Sequence, residues 1–178
     1  MINKLKSIIA FFSLGYFKTI FFFFLKSNVK TYLVVDIDNT LADTWQVLHT
    51  LKNVKSYEFI PTLNGTIGEI DKKYIGVPRI FLSNRNILTY FATMNWLTKN
   101  NLFDKKNDLL VLTSHPSQKL FYLKKLMLKS LEIYYYDDLS YNHENGKIEF
   151  YNNIISEIRN MKIIYFDYYY IKKLNSND

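Results

Sequence analysis

Five short apolar runs, each followed by polar or helix-forming residues, constrain the fold of this chain most strongly. Each run has the length and β-branched or aromatic content of a buried strand. They are Thr31–Asp36, Arg79–Leu82, Leu109–Leu112, Ile133–Tyr136 and Ile163–Phe166. Between several of them, apolar residues recur at helical spacing. Strands that alternate with helices in this way predict a parallel sheet covered by helices on both faces.

Three helical patterns lie between or after these runs. Pro116 marks the first turn of the second one, because proline is favoured where a helix begins. The three apolar faces are Leu88, Phe91, Met94 and Leu97; then Leu120, Leu123, Met127 and Leu131; then Ile154, Ile155 and Ile158. The sequence therefore predicts an α/β domain.

The size of the chain limits it to one such domain. It has 178 residues, of which 48% are hydrophobic, enough for one core and hardly for two. We assign residues 31–178 to the α/β domain and residues 1–30 to a separate N-terminal helix. The segment Ala42–Pro78 contains Pro61, Gly65, Gly68 and Gly76, which are typical of loops, so we expect an irregular, cap-like excursion there.

The charge and cysteine content exclude several classes of function. The chain has no cysteine, which excludes disulfides, thiolate catalysis and cysteine-bound zinc, and fits a reducing, cytoplasmic compartment. The net charge is +7, but residues 1–35 hold five lysines and no acid, so the rest of the chain is only about +2. A nearly neutral body argues against a nucleic-acid groove.

The N-terminal stretch Ile8–Leu25 is rich in phenylalanine and is interrupted by Lys18. On a helical wheel, one arc of roughly a third of the circle holds four of the five lysines of residues 1–35. Its members are Lys4, Gly15, Lys18, Thr19, Lys26 and Lys30. This pattern favours a helix over residues 4–26 that lies on the inner face of a membrane, with its phenylalanines exposed or only loosely covered. The alternatives are a membrane-spanning anchor and a helix packed on the protein or on a second copy.

The residues with the clearest chemical meaning follow the first predicted strand. Asp36-Ile37-Asp38-Asn39-Thr40 stands at its carboxyl end, where parallel sheets bind their ligands. Because side chains alternate along extended chain, Asp36 and Asp38 point the same way and bring two carboxylates to one place. Two carboxylates at such a short distance repel each other unless a cation lies between them or they share a proton. A DxD at a strand end also occurs in other metal proteins, such as nucleotide-sugar glycosyltransferases.

The run resembles the DxDxT motif of the haloacid dehalogenase superfamily of phosphatases, and Leu41 continues the resemblance. The resemblance implies strand order 3-2-1-4-5, a Mg²⁺ cofactor, Asp36 as nucleophile and Asp38 as acid and base. It also implies a Ser or Thr that binds phosphate, a lysine that neutralises phosphoryl charge, and further acidic metal ligands.

Two sets of residues compete for these later roles. The first set is Ser83, Lys119 and the pair Asp137-Asp138; the second is Thr113, Lys147 and Asp167. The first set supplies every part, whereas Asp167 has no acidic neighbour downstream. We therefore predict Ser83 and Lys119 near Asp36, and Mg²⁺ held by Asp36, the backbone carbonyl of Asp38, and Asp137 or Asp138.

The first set of residues makes the resemblance more specific, because it points to one branch of the superfamily. Ser83-Asn84-Arg85, followed by Thr93 and Trp96-Leu97, is similar to the small-cap branch that includes polynucleotide 3′-phosphatases. Arg85 would then grip phosphate, since a guanidinium binds it bidentately. Thr40 and Asn84 are the other candidate substrate-binding residues. His115 is expected to cap a helix, and Glu144 is a weaker candidate for support of the metal site.

The function predicted from the sequence is a Mg²⁺-dependent phosphomonoester hydrolase. Its substrate is a small phosphorylated metabolite or a membrane-borne phosphate, in the manner of lipins, which also use a DxDxT domain at a membrane. The alternatives are a polynucleotide 3′-phosphatase-like enzyme and a non-catalytic relative that binds a partner. Substrate identity and oligomeric state have no readable signal.

Overall fold

A five-stranded parallel sheet forms the centre of the protein. The computed structural model describes residues 15–26, 28–47, 49, 54–144, 147–149 and 151–176. The sheet contains β1 (Thr31–Val35), β2 (Arg79–Ser83), β3 (Leu109–Leu112), β4 (Glu132–Tyr136) and β7 (Ile164–Phe166), in the order β3-β2-β1-β4-β7. The hairpin strands β5 (Asn142–Glu144) and β6 (Lys147–Glu149) form a separate antiparallel pair. The five predicted strands and the predicted order 3-2-1-4-5 are confirmed.

Helices cover the sheet. They are α1 (residues 15–24), α2 (Thr44–Val47), α3 (Asn64–Lys73), α4 (Tyr90–Lys99), α5 (Lys119–Met127), α6 (Asn152–Arg159) and α7 (Tyr168–Asn175). α3 contacts α7, and α5 contacts α6. Since crossovers between parallel strands are right-handed, α3 and α4 lie on one face of the sheet and α5 and α6 on the other. The domain is a three-layer α/β/α sandwich with a Rossmann-like sheet.

The position of β1 explains why its sequence is apolar throughout. β1 pairs with β2 on one side and with β4 on the other. Tyr32, Leu33, Val34 and Val35 are all fully buried. A central strand covered on both faces needs apolar side chains in both directions, which is why this run lacks a polar alternation.

The segment 42–78 is more regular than the sequence predicted. It contains α2, a 3₁₀ helix at Val54–Phe59 and the ten-residue helix α3, so the prediction of an irregular excursion is wrong for its second half. Gly65 misled the prediction. A β-carbon there would overlap the backbone carbonyl of Leu174 on α7, so this glycine permits close helix packing and does not mark a loop.

The predicted apolar face of α4 is also displaced. Leu88 and Phe91 are exposed, whereas Thr93, Trp96 and Leu97 are buried. Leu88 lies in the 3₁₀ turn Ile87–Thr89, and α4 begins only at Tyr90, which rotates the inward face by part of a turn. The face predicted for α6 is confirmed, because Ile154, Ile155 and Ile158 are buried.

The N-terminal helix packs on the domain. Of the range predicted to be helical, residues 4–14 lie outside the described residues, and residues 15–24 form α1. Phe17 and Phe21 are fully buried, so the prediction of exposed phenylalanines is wrong for these two and holds for Phe22 and Phe23. The rings of Phe21 and Tyr122 on α5 meet edge to face with their centroids 5.0 Å apart. Among the described residues, none of the helices is both long and apolar enough to cross a bilayer.

Candidate active site

Polar side chains collect where the central strands end. β1 is followed by Asp36, β2 ends at Ser83, and β4 is followed by Asp137. All of these strands are parallel, so their carboxyl ends meet at one edge of the sheet. Asp36, Ser83 and Asp137 are all buried at this edge, among apolar strands that cannot themselves satisfy them.

A tight loop after β1 sets the direction of the acidic residues. The carbonyl of Ile37 accepts hydrogen bonds from the amides of Leu41 (3.0 Å) and Ala42 (2.9 Å). Asn39 has a φ of 54°, a left-handed conformation that asparagine tolerates better than most residues. The chain therefore turns back within six residues, and Asp36 and Asp38 stay at the strand edge.

Lys119 bridges two carboxylates on the β4 side of this edge. It is the first residue of α5 and is almost completely buried. Its Nζ lies 2.9 Å from Asp36 Oδ1 and 2.7 Å from Asp137 Oδ2. Asp137 is further bonded by the hydroxyl of Tyr135 and by the amide of Leu139, which lies 3.0 Å from Oδ1.

Burial and neighbouring charges change the pKa values of Asp36 and Lys119. Burial raises the pKa of Asp36 to about 7; Lys119 opposes the increase, and the nearby charges of Asp137 and Asp38 add to it. Burial lowers the pKa of Lys119, but the charges of Asp137 and Asp36 outweigh it and raise the pKa above the ordinary value. Lys119 is therefore a permanent cation beside Asp36.

Arg85 binds the second acid of the motif from the β2 side. Its Nε lies 2.7 Å from Asp38 Oδ2, and its Nη2 lies 2.6 Å from Asp38 Oδ1. Thr44 also donates to Asp38 Oδ1, and Arg85 Nη1 donates to Thr93 Oγ1 at 3.0 Å. Tyr57 belongs to the 3₁₀ helix Val54–Phe59 in residues 42–78, which we call the cap segment. Its ring covers the guanidinium, with the ring centroid 5.0 Å away.

This pairing keeps Asp38 ionised when the site is empty of substrate. Burial alone would raise the pKa of Asp38, but the charge and hydrogen bonds of Arg85 outweigh burial and lower it. The sequence predicted that Asp36 and Asp38 share one cation or one proton. In the structure each has its own cationic side chain, Lys119 for Asp36 and Arg85 for Asp38.

Three buried oxygens at the same edge have no hydrogen-bond partner in the structure. They are Asp138 Oδ2, Ser83 Oγ and Thr40 Oγ1. Burial and the charges of Asp36 and Asp137 raise the pKa of Asp138 well above its ordinary value. A buried polar atom without a partner costs free energy, and such atoms at a strand edge indicate where a ligand binds.

The charges and oxygens present fit a divalent cation. One carboxylate oxygen each from Asp36, Asp137 and Asp138 lies within 4.8 Å of the others. When ionised, the four carboxylates of Asp36, Asp38, Asp137 and Asp138 exceed the two cations Lys119 and Arg85 by two negative charges. The raised pKa values of Asp36 and Asp138 favour protons at these acids when no cation is bound, and a divalent ion would replace them. Hard oxygen donors with an excess of two negative charges suit Mg²⁺ or a similar ion.

Of the competing set, Thr113 and Asp167 make other contacts in the described part of the chain. Thr113 is buried beside Ser83, and its Oγ1 donates to the Ser83 carbonyl at 3.3 Å. Asp167 caps α7, where it accepts from the amides of Tyr169 and Tyr170. Lys147 lies on β6, and its side chain, like that of Glu144, is outside the described residues.

Two further residues named in the sequence analysis, His115 and Asn84, lie close to the ends of the strands. His115 caps the 3₁₀ turn Pro116–Gln118, because its side chain accepts from the Ser117 amide. Asn84 is half-buried directly after Ser83.

Several side chains at the site were missed in the sequence. Tyr135 stands two residues before Asp137 on the same strand, so side-chain alternation could have placed both on one face. Asn39 bonds Asp138 and also accepts from the Trp45 amide at 2.9 Å. Thr44 and Tyr57 reach the site through the fold of the cap segment, and no local pattern identifies them.

No protein-family model and no curated protein matches the chain. Among solved structures, two matches are structures of the class C acid phosphatase from Bacillus anthracis, one of them with tungstate bound. The tungstate-bound structure is 17% identical, with a TM-score of 0.45, and the match covers 96% of this chain and 80% of the other. The second is also 17% identical with a TM-score of 0.45, and covers 88% and 79%. The chemistry of this chain therefore has to be argued from its own site.

Proposed function

We propose that this protein is a divalent-metal-dependent phosphomonoester hydrolase with Asp36 as its nucleophile. The observation that carries the proposal is the arrangement around Asp36. Its carboxylate is buried at the carboxyl edge of the sheet, contacts the Lys119 cation at 2.9 Å, and lies beside the unpartnered oxygen of Asp138. A nucleophile, a fixed cation and a vacant oxygen ligand are the parts that phosphoryl transfer requires.

In the first step, an oxygen of Asp36 attacks phosphorus and the bond from phosphorus to the leaving oxygen breaks. Asp38 is ionised in the substrate-free site, so it takes up a proton from solvent when the substrate phosphate draws Arg85 away from it. It then donates this proton to the leaving oxygen, which departs as an alcohol. The phosphoryl group is then covalently attached to Asp36. Lys119 is held by two carboxylates, so it can neutralise phosphoryl charge without having to reorganise.

In the second step, water attacks phosphorus and Asp38 takes its proton. The bond between phosphorus and Asp36 breaks, which releases inorganic phosphate and restores the carboxylate. Arg85 occupies both oxygens of Asp38 in the substrate-free site, so one of these bonds has to open for either proton transfer. An entering phosphate gives the guanidinium a second anion to bind.

Mg²⁺ would be held by Asp36, Asp138 and the backbone carbonyl of Asp38. We assign Asp138 rather than Asp137 to the ion, since Asp137 already accepts from Lys119, Tyr135 and Leu139. When bound, the ion neutralises the excess negative charge and allows a phosphate dianion to approach Asp36. Ser83 and Thr40 have free hydroxyls for the phosphoryl oxygens, and Asn84 adjoins them.

The substrate of this hydrolysis is a small phosphorylated metabolite or a phosphate carried on a membrane. Tyr57 and Thr44 place the cap segment over the Arg85 side of the edge. The leaving group therefore meets this segment, and specificity is expected to reside there.

The test is hydrolysis of an aryl phosphate by the purified full chain, with Mg²⁺ and with a chelator. Asp36→Asn should abolish turnover and leave the fold intact, because it removes the nucleophile and little packing. Asp108→Asn is a matched control: its carboxylate accepts from the Arg79 amide beside the starts of β2 and β3, at the opposite edge of the sheet. Turnover in a well-folded Asp36→Asn protein, or no turnover of any phosphate by the wild type, would overturn the proposal.

A further inference from the structure

The outward side of α1 combines aromatic and basic residues. We define the outer arc as Tyr16, Lys18, Phe22 and Phe23 on α1 together with Lys26, which lies two residues after the helix ends. Phe23 is 86% exposed, Tyr16 is 56% exposed and Phe22 is 51% exposed. At 100° per residue, the four residues on α1 lie within about half of the helix circumference. Isolated exposed aromatics are ordinary, but several on one short helix mark a contact surface.

The opposite side of α1 fixes the helix on the domain. Phe17 and Phe21 are fully buried; the Phe17 ring lies 5.9 Å from the Tyr90 ring on α4, and Phe21 packs against Tyr122 on α5. At the end of the helix, the Lys26 amide donates to the Tyr32 hydroxyl at 3.2 Å. The outer arc is thus presented by a preformed helix, which lowers the entropy cost of docking.

The described helices that form and border the outer arc contribute no acidic side chain. α1 and the two helices that it touches, α4 and α5, contain no acidic residue. Lys18 Nζ lies 4.7 Å from the centroid of the Phe121 ring, and Lys125 Nζ lies 6.0 Å from the same ring. The acid of α6 that reaches α5, Glu157, is occupied by Lys124 at 2.6 Å. Basic residues therefore border the exposed aromatics.

We propose that the outer arc docks on an anionic phospholipid surface. Phenylalanine side chains can enter the boundary between headgroups and acyl chains, while the lysines that alternate with them remain at headgroup level. The charge complementarity selects a membrane over a second copy of this chain, since two copies meeting through the outer arc would bring their lysines together. This docking is independent of the proposed hydrolase activity.

The position of the outer arc relative to the catalytic edge predicts how docking affects turnover. α1 packs against Tyr90 on α4 and Tyr122 on α5, and its outer arc is the exposed side of the helix, whereas Asp36 and Lys119 are buried where the strands end. The outer arc shares no residue with the catalytic edge, so we expect docking to leave that edge open. Hydrolysis of a soluble aryl phosphate should be the same with and without vesicles.

The test is flotation of the full chain with vesicles of phosphatidylglycerol and phosphatidylcholine, compared with phosphatidylcholine alone. Phe22→Ala/Phe23→Ala should reduce the partition coefficient at least tenfold, because it removes two of the three exposed rings of the outer arc. Phe59→Ala/Ile75→Ala is the matched control, since both residues are exposed and lie elsewhere. The control should bind as the wild type does.

A second pair of variants tests the electrostatic part. Lys18→Glu/Lys26→Glu should weaken binding to anionic vesicles by about fivefold or more per position. Lys105→Glu/Lys106→Glu changes the net charge equally on exposed residues before β3, and should have a much smaller effect. Binding of the wild type should weaken as salt rises.

All of these proteins retain residues 1–14, so any contribution from that segment is common to them. The proposal is overturned if Phe22→Ala/Phe23→Ala floats as the wild type does, or if phosphatidylcholine alone binds equally well. It is also overturned if the outer-arc variants abolish a concentration-dependent dimer and leave vesicle binding unchanged, which would assign the surface to a second copy.

Discussion

The two acids of the Asp36-Ile37-Asp38 run are treated differently by their surroundings. Asp38, on the Arg85 side, accepts hydrogen bonds at both oxygens, and the guanidinium is further bonded to Thr93. Asp36, on the Lys119 side, lies beside Asp138, whose Oδ2 has no partner, and Ser83 Oγ and Thr40 Oγ1 at the ends of the strands also have none. The Arg85–Asp38 pair already satisfies its hydrogen bonds, so it stabilises the fold until a ligand opens it. The polar atoms on the Lys119 side do not satisfy all of theirs, so they can bind a ligand without first breaking a bond.

The free-energy cost of the unpartnered atoms explains why this difference matters. A buried oxygen that stays without a partner costs about 1–3 kcal/mol, so Asp138 Oδ2, Ser83 Oγ and Thr40 Oγ1 each gain from a bound ligand. An ion bound by Asp138 and a phosphoryl group bound by Ser83 and Thr40 would recover this free energy. We therefore expect the phosphoryl group to bind on the Lys119 side. On the other side, Arg85 governs the protonation of Asp38.

The largest expected effect is that of Lys119→Met. It removes the cation from between Asp36 and Asp137 and leaves both carboxylates buried and unpaired. We expect the free energy of unfolding to fall by about 3–5 kcal/mol and kcat to fall by about 10³-fold. Chemical denaturation and steady-state kinetics measure the two effects. Lys125→Met, on the same helix, is the control, and an equal loss of activity there would contradict the assignment.

Arg85→Met tests the other side and should separate stability from chemistry. Breaking the buried pair with Asp38 should cost about 3 kcal/mol of unfolding free energy, while kcat should fall by only about 10²-fold. In Arg85→Met/Asp38→Asn, much of the lost stability should return without activity. If the double variant is no more stable than Arg85→Met, the Arg85 cluster does not act as the closed pair described here.

Asp137 and Asp138 should respond in opposite ways to the same substitution. Asp137→Asn disrupts bonds to Lys119, Tyr135 and Leu139, so the unfolding free energy should fall by about 2–3 kcal/mol. Asp138→Asn removes a crowded acid with a free oxygen, so the metal-free protein should keep or gain stability. Mg²⁺ should raise the Tm of the wild type. Asp138→Asn should need an Mg²⁺ concentration about tenfold higher or more for the same rise in Tm. An unchanged Mg²⁺ response would reassign the ion to Asp137.

The smallest and most selective effect is expected from two hydroxyl deletions. Ser83→Ala removes a buried oxygen with no partner, so the unfolding free energy should stay the same or rise by up to about 1–3 kcal/mol, while kcat/KM falls about 10-fold or more. Thr113→Ala removes a hydrogen bond to the Ser83 carbonyl, so the unfolding free energy should fall by about 1 kcal/mol with little change in activity. The reverse pattern would show that Thr113 binds the phosphate.

The sheet was readable from the sequence because its strands are short, apolar and bounded by polar residues. The order of the strands and the selection of Lys119 over Lys147 required a resemblance, since contacts between Lys119 and Asp36 span 83 positions of the chain. The spacing of the acids placed Asp36 and Asp38 at one edge. It could not show that each has a separate cationic partner, because Arg85 reaches Asp38 only through the crossover between β1 and β2.

The errors have a common physical origin in helix packing. Gly65 has the composition of a loop but lies in α3, where α7 approaches too closely for a side chain. Phe17 and Phe22 are chemically identical in sequence, yet one is fully buried and the other is half exposed. Which side of α1 faces the domain depends on Tyr90 and Tyr122, which are distant in sequence. Tertiary contacts decided these features, and local patterns do not contain them.

The most direct test of the central claim is to trap the covalent form of the enzyme. Wild-type protein would be mixed with Mg²⁺ and excess aryl phosphate, quenched in acid, and mapped by peptide mass spectrometry. We predict one added phosphoryl group on the peptide that carries Asp36, sensitive to hydroxylamine as an acyl phosphate is, and absent from Asp36→Asn. A phosphoryl group on Ser83 or His115, or steady turnover with no labelled peptide under conditions that trap acyl phosphates, would contradict the account.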